Sequence, residues 1–278
     1  MLARALAFAL CATALAAAPA RAEGKPTTTV TWHGHAAFTI TTPTGKVLLI
    51  DPWLTNPMNP EKDPIGKLGK VDFILITHGH FDHVGEAAEI AKKTGARLVA
   101  TFELGQNLAR IGGVPANQMG FDTLGNIGGE LPITDEVTVV FTRAIHSSGL
   151  DTPDGEKKGT PIQYGGEPVG FVLKIKNGPT IYDTGDTAYF SDMALIGENA
   201  PDLALINIGG HFGMSPAQAA RAAKLVKGKL VIPHHYKTFP ILTQDPAPFF
   251  KALDGQKIAH RELKPGESLT FEGNKLKK

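Results

Sequence analysis

The order of apolar and polar positions along the chain predicts short strands alternating with helices. Residues 29–40 and 47–51 are rich in β-branched and aromatic residues and read as strands. Residues 52–70 are rich in Pro, Asn and Lys and read as a loop. Residues 72–77 (DFILIT) carry a nearly unbroken apolar run, the pattern of a strand buried on both faces. Residues 85–93 have helical spacing, with Ala87, Ala88, Ile90 and Ala91 facing inward. A strand at 97–100 and a helix at 102–111 follow, and Gly112-Gly113 ends that helix. The second half offers strands at 137–144, 170–176, 180–183, 203–208 and 230–233. Between the last two, Ser215-Pro216-Ala217-Gln218 carries an N-cap serine, a proline fit for the first turn and a capping-box glutamine. Residues 150–168 are polar and rich in Gly and Pro, and read as a mobile surface loop. This alternation through both halves, without a dividing linker, predicts one layered α/β domain.

The first 22 residues fall outside that pattern. Arg4 provides a short positive region, residues 6–18 are almost wholly apolar, and Ala20-Arg21-Ala22 is an A-x-A cleavage site. The pattern is that of a secretory signal peptide, and the apolar run is short of the roughly 20 residues a spanning helix needs. The expectation is an exported protein, residues 23–278, in a bacterial periplasm, with no stable membrane anchor. Cys11, the single cysteine of the 278 residues, leaves with the signal, so any metal must be held by His, Asp or Glu. Loss of Arg4 and Arg21 turns the formal charge from +1 to −1, which argues against nucleic-acid binding and leaves a small molecule as the expected substrate.

Candidate chemistry concentrates in Thr77-His78-Gly79-His80-Phe81-Asp82-His83, directly after an apolar strand and before a helix. Strand-to-helix loops are where α/β folds place ligands. On extended backbone His78 and His80 point the same way and grip one metal, and Asp82 and His83 face a second as the chain turns. Neutral imidazoles suit Zn²⁺, Mn²⁺ or iron, and a carboxylate compensates charge. Small Gly79 lets the loop approach the metals. One loop does not complete two shells, and three further strand ends carry His146, Asp183 and Asp186, and His234-His235. The chain has neither a G-x-S-x-G elbow nor a G-x-x-x-x-G-K-[ST] phosphate loop.

The segment THGHFDHVG, followed in order by His146, Asp186 and His235, resembles the signature of the metallo-β-lactamase superfamily. The closer likeness is to its small metal-dependent hydrolases, relatives of ascorbate-phosphate lactonases. Residues 32–38 (WHGHAAF), 51–53 (DPW), 207–212 (NIGGHF) and 233–236 (PHHY) carry it, and it spans residues 28–272. The resemblance implies a four-layer αβ/βα sandwich with the active site at one edge. It implies two divalent ions, zinc first, with His78, His80 and His146 on one, Asp82, His83 and His235 on the other, and Asp186 bridging. Asp51 then orients the histidine loop. The implied activity is cleavage of a small ester, lactone or phosphoester by a metal-bound hydroxide. Asp82, His35 and His211 are the candidate catalytic groups, and Ser147 and Ser148 are placed to hydrogen-bond a substrate oxygen. His234 and Asp183 read as structural, and His33 and His260 as ordinary. The competing readings are a periplasmic phosphodiesterase, a β-lactamase-like enzyme, and a metal-binding protein without turnover.

Overall fold

The computed structural model describes residues 25–151 and 161–277. The signal segment 1–22, and residues 152–160 of the polar loop, lie outside the described residues. The first half runs β1 (Thr27–Trp32), β2 (Phe38–Thr41), β3 (Val47–Ile50), β4 (Phe73–Leu75), α1 (Phe81–Val84), α2 (Ala87–Thr94), β5 (Arg97–Thr101), α3 (Phe102–Arg110) and β6 (Leu124–Gly125). The chain then crosses to β7 (Glu130–Pro132) and β8 (Val137–Arg143), a small hairpin of β9 (Gly149–Leu150) and β10 (Gln163–Tyr164), β11 (Val169–Ile175) and β12 (Thr180–Asp183). It continues through α4 (Met193–Ile196), β13 (Leu203–Asn207), α5 (Pro216–Val226), β14 (Leu230–His234) and α6 (Ala247–Gly255), and returns to the first sheet with β15 (Ser268–Glu272) and β16 (Lys275–Leu276).

Among the described residues, one sheet has the order β16-β15-β1-β2-β3-β4-β5-β6 and the other β14-β13-β12-β11-β8-β7. Strand pleat explains how they stack. In β3, Leu48 and Ile50 face one way and Leu49 the other; in β4, Phe73 and Leu75 oppose Ile74. The first set meets Val139, Phe171 and Leu173 of the second sheet in a shared core. The opposite set packs under α2 and α3 on Ile90, Ala91, Leu104 and Leu108. Beyond the second sheet, α5 lays Ala219, Ala222, Ala223 and Val226 against the all-buried strand β13. The result is helices, sheet, sheet, helices: the four-layer αβ/βα sandwich. Each buried Leu or Ile in these layers contributes about 1.5–3 kcal/mol.

Ser215 caps α5 as the sequence implies: its side chain accepts from the Gln218 backbone N–H, and the Gln218 side chain accepts from the Ser215 backbone. Two readings are corrected. Residues 29–40 are not one strand but two, split by a turn at 33–37 in which Gly34 and His35 take φ of 93° and 50°. Helix 85–93 begins later, at Ala87, because Gly85 at φ 43° breaks it from the separate turn α1. The polar stretch 150–168 contains strand β10 and part of β9. No helix among the described residues is long and apolar enough to cross a membrane.

Candidate metal centre

Strand direction delivers the candidate residues to one edge. β3, β4 and β5 run parallel, as do β12, β13 and β14. β8 is antiparallel to β11, which is antiparallel to β12, so β8 runs with the second group. The carboxyl ends of these strands therefore lead into Asp51, the 78–83 loop, His146, Asp186 and His235. The turn between β1 and β2 adds His35 at the same edge. Three of these residues, His35, Asp51 and His235, hold left-handed backbone at φ of 50°, 43° and 60°, a conformation that non-glycine residues adopt at a cost.

The side chains converge in overlapping groups whose ligand atoms lie within 4.8 Å of one another: His78, His80 and His146; His78, His83 and Asp186; His35, Asp82, His83 and His235. His80 Nδ1 stands 2.9 Å from His78 Nε2 and 3.3 Å from His146 Nε2. Asp186 Oδ2 lies between the groups, 3.0 Å from His235 Nε2, 3.5 Å from His83 Nε2 and 3.6 Å from His146 Nε2. Asp82 Oδ2 is 3.6 Å from His235 Nε2.

Hydrogen bonding behind the cluster orients the rings. Asp51 accepts from the Thr77 backbone N–H at 2.8 Å, from Thr77 Oγ1 at 2.7 Å and from His83 Nδ1 at 2.6 Å. The Thr77 hydroxyl proton is thereby used, so its oxygen accepts from His78 Nδ1 at 3.0 Å. Both imidazoles thus donate from Nδ1 and turn Nε2 toward the cluster. The Nε2 atoms of His83 and His235 are buried and have no hydrogen-bond partner. An orphaned nitrogen beside a carboxylate, without hydrogen-bond alignment, fits a ligand of a divalent cation. The donor set, imidazoles and carboxylates with no thiolate, suits a divalent transition metal.

The electrostatics separate the groups. Burial and the neighbouring His83 hold His78 well below the usual histidine range, keeping it neutral. Burial and His235 push His35 down to about 3. Burial also opposes charge on His83 and His235, yet the carboxylates beside them more than reverse it, raising His83 well above its ordinary value and His235 to about 9. Burial pushes Asp186 up, and His235 and His83 outweigh it and hold the carboxyl ionised. Asp82 is likewise held low: His235 beside it and the hydrogen bond from His35 outweigh burial.

The other singled-out residues take distinct places. His35 is fully buried; its Nε2 donates to Asp82 Oδ2 at 3.0 Å, and its Nδ1 accepts from Thr238 Oγ1 at 2.6 Å. His211 is exposed, its ring edge-on to Phe212 with centroids 4.6 Å apart, and outside the cavity over the cluster. Ser147 lines that cavity with Oγ 3.3 Å from His80 Nε2. Ser148 turns away, donating to the Gly165 carbonyl and accepting from the Gly79 N–H. Gly79 is small for a different reason than approach to metal: a Cβ there would sit 3.1 Å from the Gly149 carbonyl oxygen and 3.2 Å from Gly165 Cα, in the β9–β10 hairpin. His234 is buried with Nε2 3.3 Å from Thr184 Oγ1, and Asp183 accepts from the Gly185 N–H at 2.8 Å. His33 pairs with Thr39 at 2.7 Å, and His260 stacks on Phe250.

Supporting residues that spacing alone does not reveal also appear. Asn207 donates to Asp186 Oδ1 at 3.2 Å and to the Gly185 carbonyl at 3.1 Å. Its only signal was its place at the head of NIGGHF. Thr238 and Phe239 carried none; Trp53, which closes the DPW motif, stacks on Phe239 with centroids 5.6 Å apart, a contact the motif does not show.

The β-lactamase superfamily domain family matches residues 46–236. A UPF0173 metal-dependent hydrolase of Thermodesulfovibrio yellowstonii is 49% identical over 250 residues, covering 88% of this chain and 92% of the relative. One from Anaeromyxobacter dehalogenans strain 2CP-1 is 48% identical over 257 residues, covering 92% of this chain and 90% of its own. The solved structure of Igni18, a metallo hydrolase of the archaeon Ignicoccus hospitalis, superposes with a TM-score of 0.74 at 35% identity, over 88% of this chain and 99% of that one.

Proposed function

This chain belongs to the β-lactamase superfamily and, within it, to the UPF0173 metal-dependent hydrolases, and on that premise we propose that it hydrolyses a small ester, lactone or phosphoester at a two-metal site. The observation that carries the reading is the pair of orphaned nitrogens, His83 Nε2 and His235 Nε2, turned toward Asp186 Oδ2 beside the separate His78–His80–His146 group. His78, His80 and His146 would hold one ion, Asp82, His83 and His235 the other, and Asp186 both. Zinc suits the set, as do manganese and iron. Bound there, divalent ions lower the pKa of coordinated water from 15.7 toward about 7 and polarise the bond to be cut.

The chain's own groups supply the rest. Asp51 and Thr77 fix the His83 and His78 rings, and Asn207 fixes Asp186. Asp82 faces the cavity with one edge, where its carboxylate accepts a hydrogen bond from the attacking water. His35, behind it, is a positioning residue: buried and neutral, it holds Asp82 and does not touch substrate. Ser147 Oγ, at the cavity wall, donates to a substrate oxygen. His211 lies outside that cavity and takes no part in this reading. A purely metal-holding protein would close over its ions, whereas a cavity of about 670 Å³ opens onto His80, Asp82, His146, Asp186 and His235. We place this chemistry in an exported protein, on the strength of the N-terminal segment; a processed N-terminus at Glu23 in the periplasmic fraction is the check.

The test is metal analysis together with a hydrolysis panel of lactones, aryl esters, phosphomonoesters, phosphodiesters and β-lactams. The expected result is two ions per chain and turnover of one class. Asp186→Asn and His78→Ala should lose that turnover while remaining folded. Full activity in either variant would sink the assignment.

A further inference from the structure

The cavity over the metal centre has an uneven lining. Its floor is the ionisable cluster. Its walls are Phe81, Phe212, Phe239, Pro240, Ile241 and Leu242. Phe81, Phe212 and Ile241 are 58%, 56% and 53% exposed, high for large apolar side chains. Phe81 and Phe239 are held there by other parts of the fold. Phe81 sits in α1 between the ligand candidates His80 and Asp82. Trp53 stacks on Phe239 and meets Phe81 edge-on at 5.8 Å. The Trp53 loop is itself pinned, because Glu86 accepts from the Leu54 N–H at 2.7 Å and from Thr55 Oγ1 at 2.6 Å. The Phe81–Phe239 side of the wall is thus braced. Among the described residues, no Lys or Arg lines this cavity.

Those two facts point the same way. Recognition of a phosphate or carboxylate on the substrate is usually done by Arg or Lys, and among the described residues that line this cavity the anion-attracting feature is the metal site itself. A second anionic group beyond the bond being cut would lie against phenylalanine and isoleucine without a partner, a costly placement. Apolar carbon laid there leaves water and gains affinity. We infer that the substrate is an uncharged carboxylic ester or lactone whose acyl part is an aliphatic or aromatic group seated on the Phe81–Phe212–Phe239–Ile241 wall. This deepens the hydrolase reading and rests on it. It selects the ester and lactone members of the proposed class over the phosphoesters. In the reaction, water oxygen bonds to the acyl carbon, the acyl C–O bond breaks, and a proton passes to the leaving alkoxide, giving a carboxylic acid and an alcohol.

The product of such a reaction is an apolar carboxylate, which provides a test separate from turnover. Purified Zn²⁺-loaded protein is titrated with acetate, butanoate, hexanoate, octanoate and inorganic phosphate, following Trp53 fluorescence against a Trp53→Phe control. Affinity should rise by up to about fourfold for each methylene that reaches the wall. Phosphate should bind no more tightly than acetate. Phe212→Ala and Ile241→Ala should each cut the octanoate-to-acetate ratio by at least about threefold. In parallel, kcat/KM is measured for a p-nitrophenyl ester series from acetate to octanoate and for p-nitrophenyl phosphate and bis-p-nitrophenyl phosphate. Ester turnover that rises with chain length supports the inference. Phosphoester turnover exceeding ester turnover, or affinity independent of chain length, overturns it and leaves the hydrolase reading standing. Chain-length-dependent binding with no turnover of any compound supports the apolar site and removes the hydrolase reading.

Discussion

His83 donates from Nδ1 to Asp51 Oδ2 at 2.6 Å, and both side chains are buried. That bond sets which nitrogen of His83 faces the cluster, and the same carboxylate fixes Thr77 and through it His78. One acidic residue at the end of β3 thus orients imidazoles assigned to both ion positions. Asp51→Asn removes the charge and leaves one acceptor oxygen for three donors. Metal affinity should fall about 10–100-fold, with kcat/KM following. Competition against a chromophoric chelator measures the first; unchanged affinity at both ions would refute the orienting role.

Asp183 offers a pH test away from the ligands. Burial, with the Asp51 charge nearby, raises its carboxyl from 3.8 to about 8, and its Oδ2 is buried without a partner. A folded-state pKa above the unfolded one means its contribution to stability is greatest below pH 3.8 and is lost as pH climbs through about 8. Asp183→Asn keeps an acceptor for the Gly185 N–H and cannot ionise. Melting of metal-free protein should therefore show variant and parent close together near pH 4. The variant should gain progressively up to about pH 8, where the difference levels off. A difference that does not vary with pH would show that Asp183 is not protonated in the fold.

Two glycines with positive φ separate space from conformation. At Gly85, φ 43°, a Cβ would lie 2.5 Å from Trp53 Cα and 2.6 Å from the Pro52 carbonyl oxygen. At Gly95, φ 74°, the space is open. Gly95→Ala should cost about 1 kcal/mol and leave activity intact. Gly85→Ala should cost about 3 kcal/mol and reduce turnover, because the Trp53 loop must move. Urea unfolding with parallel kinetics distinguishes them; equal costs would contradict the clash.

Ser215→Ala removes the capping oxygen of α5, a helix that packs five buried residues against the second sheet. The expected loss is about 1 kcal/mol, with metal content unchanged. Denaturant midpoints at constant slope give the number, and a loss below about 0.3 kcal/mol would mean that tertiary packing alone holds the helix end.

What was legible in the sequence follows from what is local. The strand-to-loop position of His78, His80, Asp82 and His83 is set within ten residues, and the apolar runs of β4, β13 and β14 announce themselves. The Ser215 cap is a four-residue pattern, Ser215 to Gln218. His35 was visible as part of a motif, but its partner Asp82 lies 47 positions away, so its burial and task were not. The break at Gly34–His35 depends on the β1–β2 pairing, which local propensity does not encode. Strands β6, β7, β9, β10, β15 and β16 are two to five residues long, too brief for periodicity to show. The aromatic wall was unreadable because Trp53, Phe81 and Phe239 meet only after both sheets have stacked.

The placement of the converging groups has a consequence for how the molecule is made. His78, His80, Asp82 and His83 follow β4 in the first sheet; His146, Asp186 and His235 follow strands of the second. Neither sheet alone presents a full set of donors to either of the two proposed ions. A chain still emerging end-first carries a half-built claw until the segment around β14 has arrived. Capture of the proposed ions would therefore report completed assembly, and a chelator would remove a cross-link that the shared core alone does not supply.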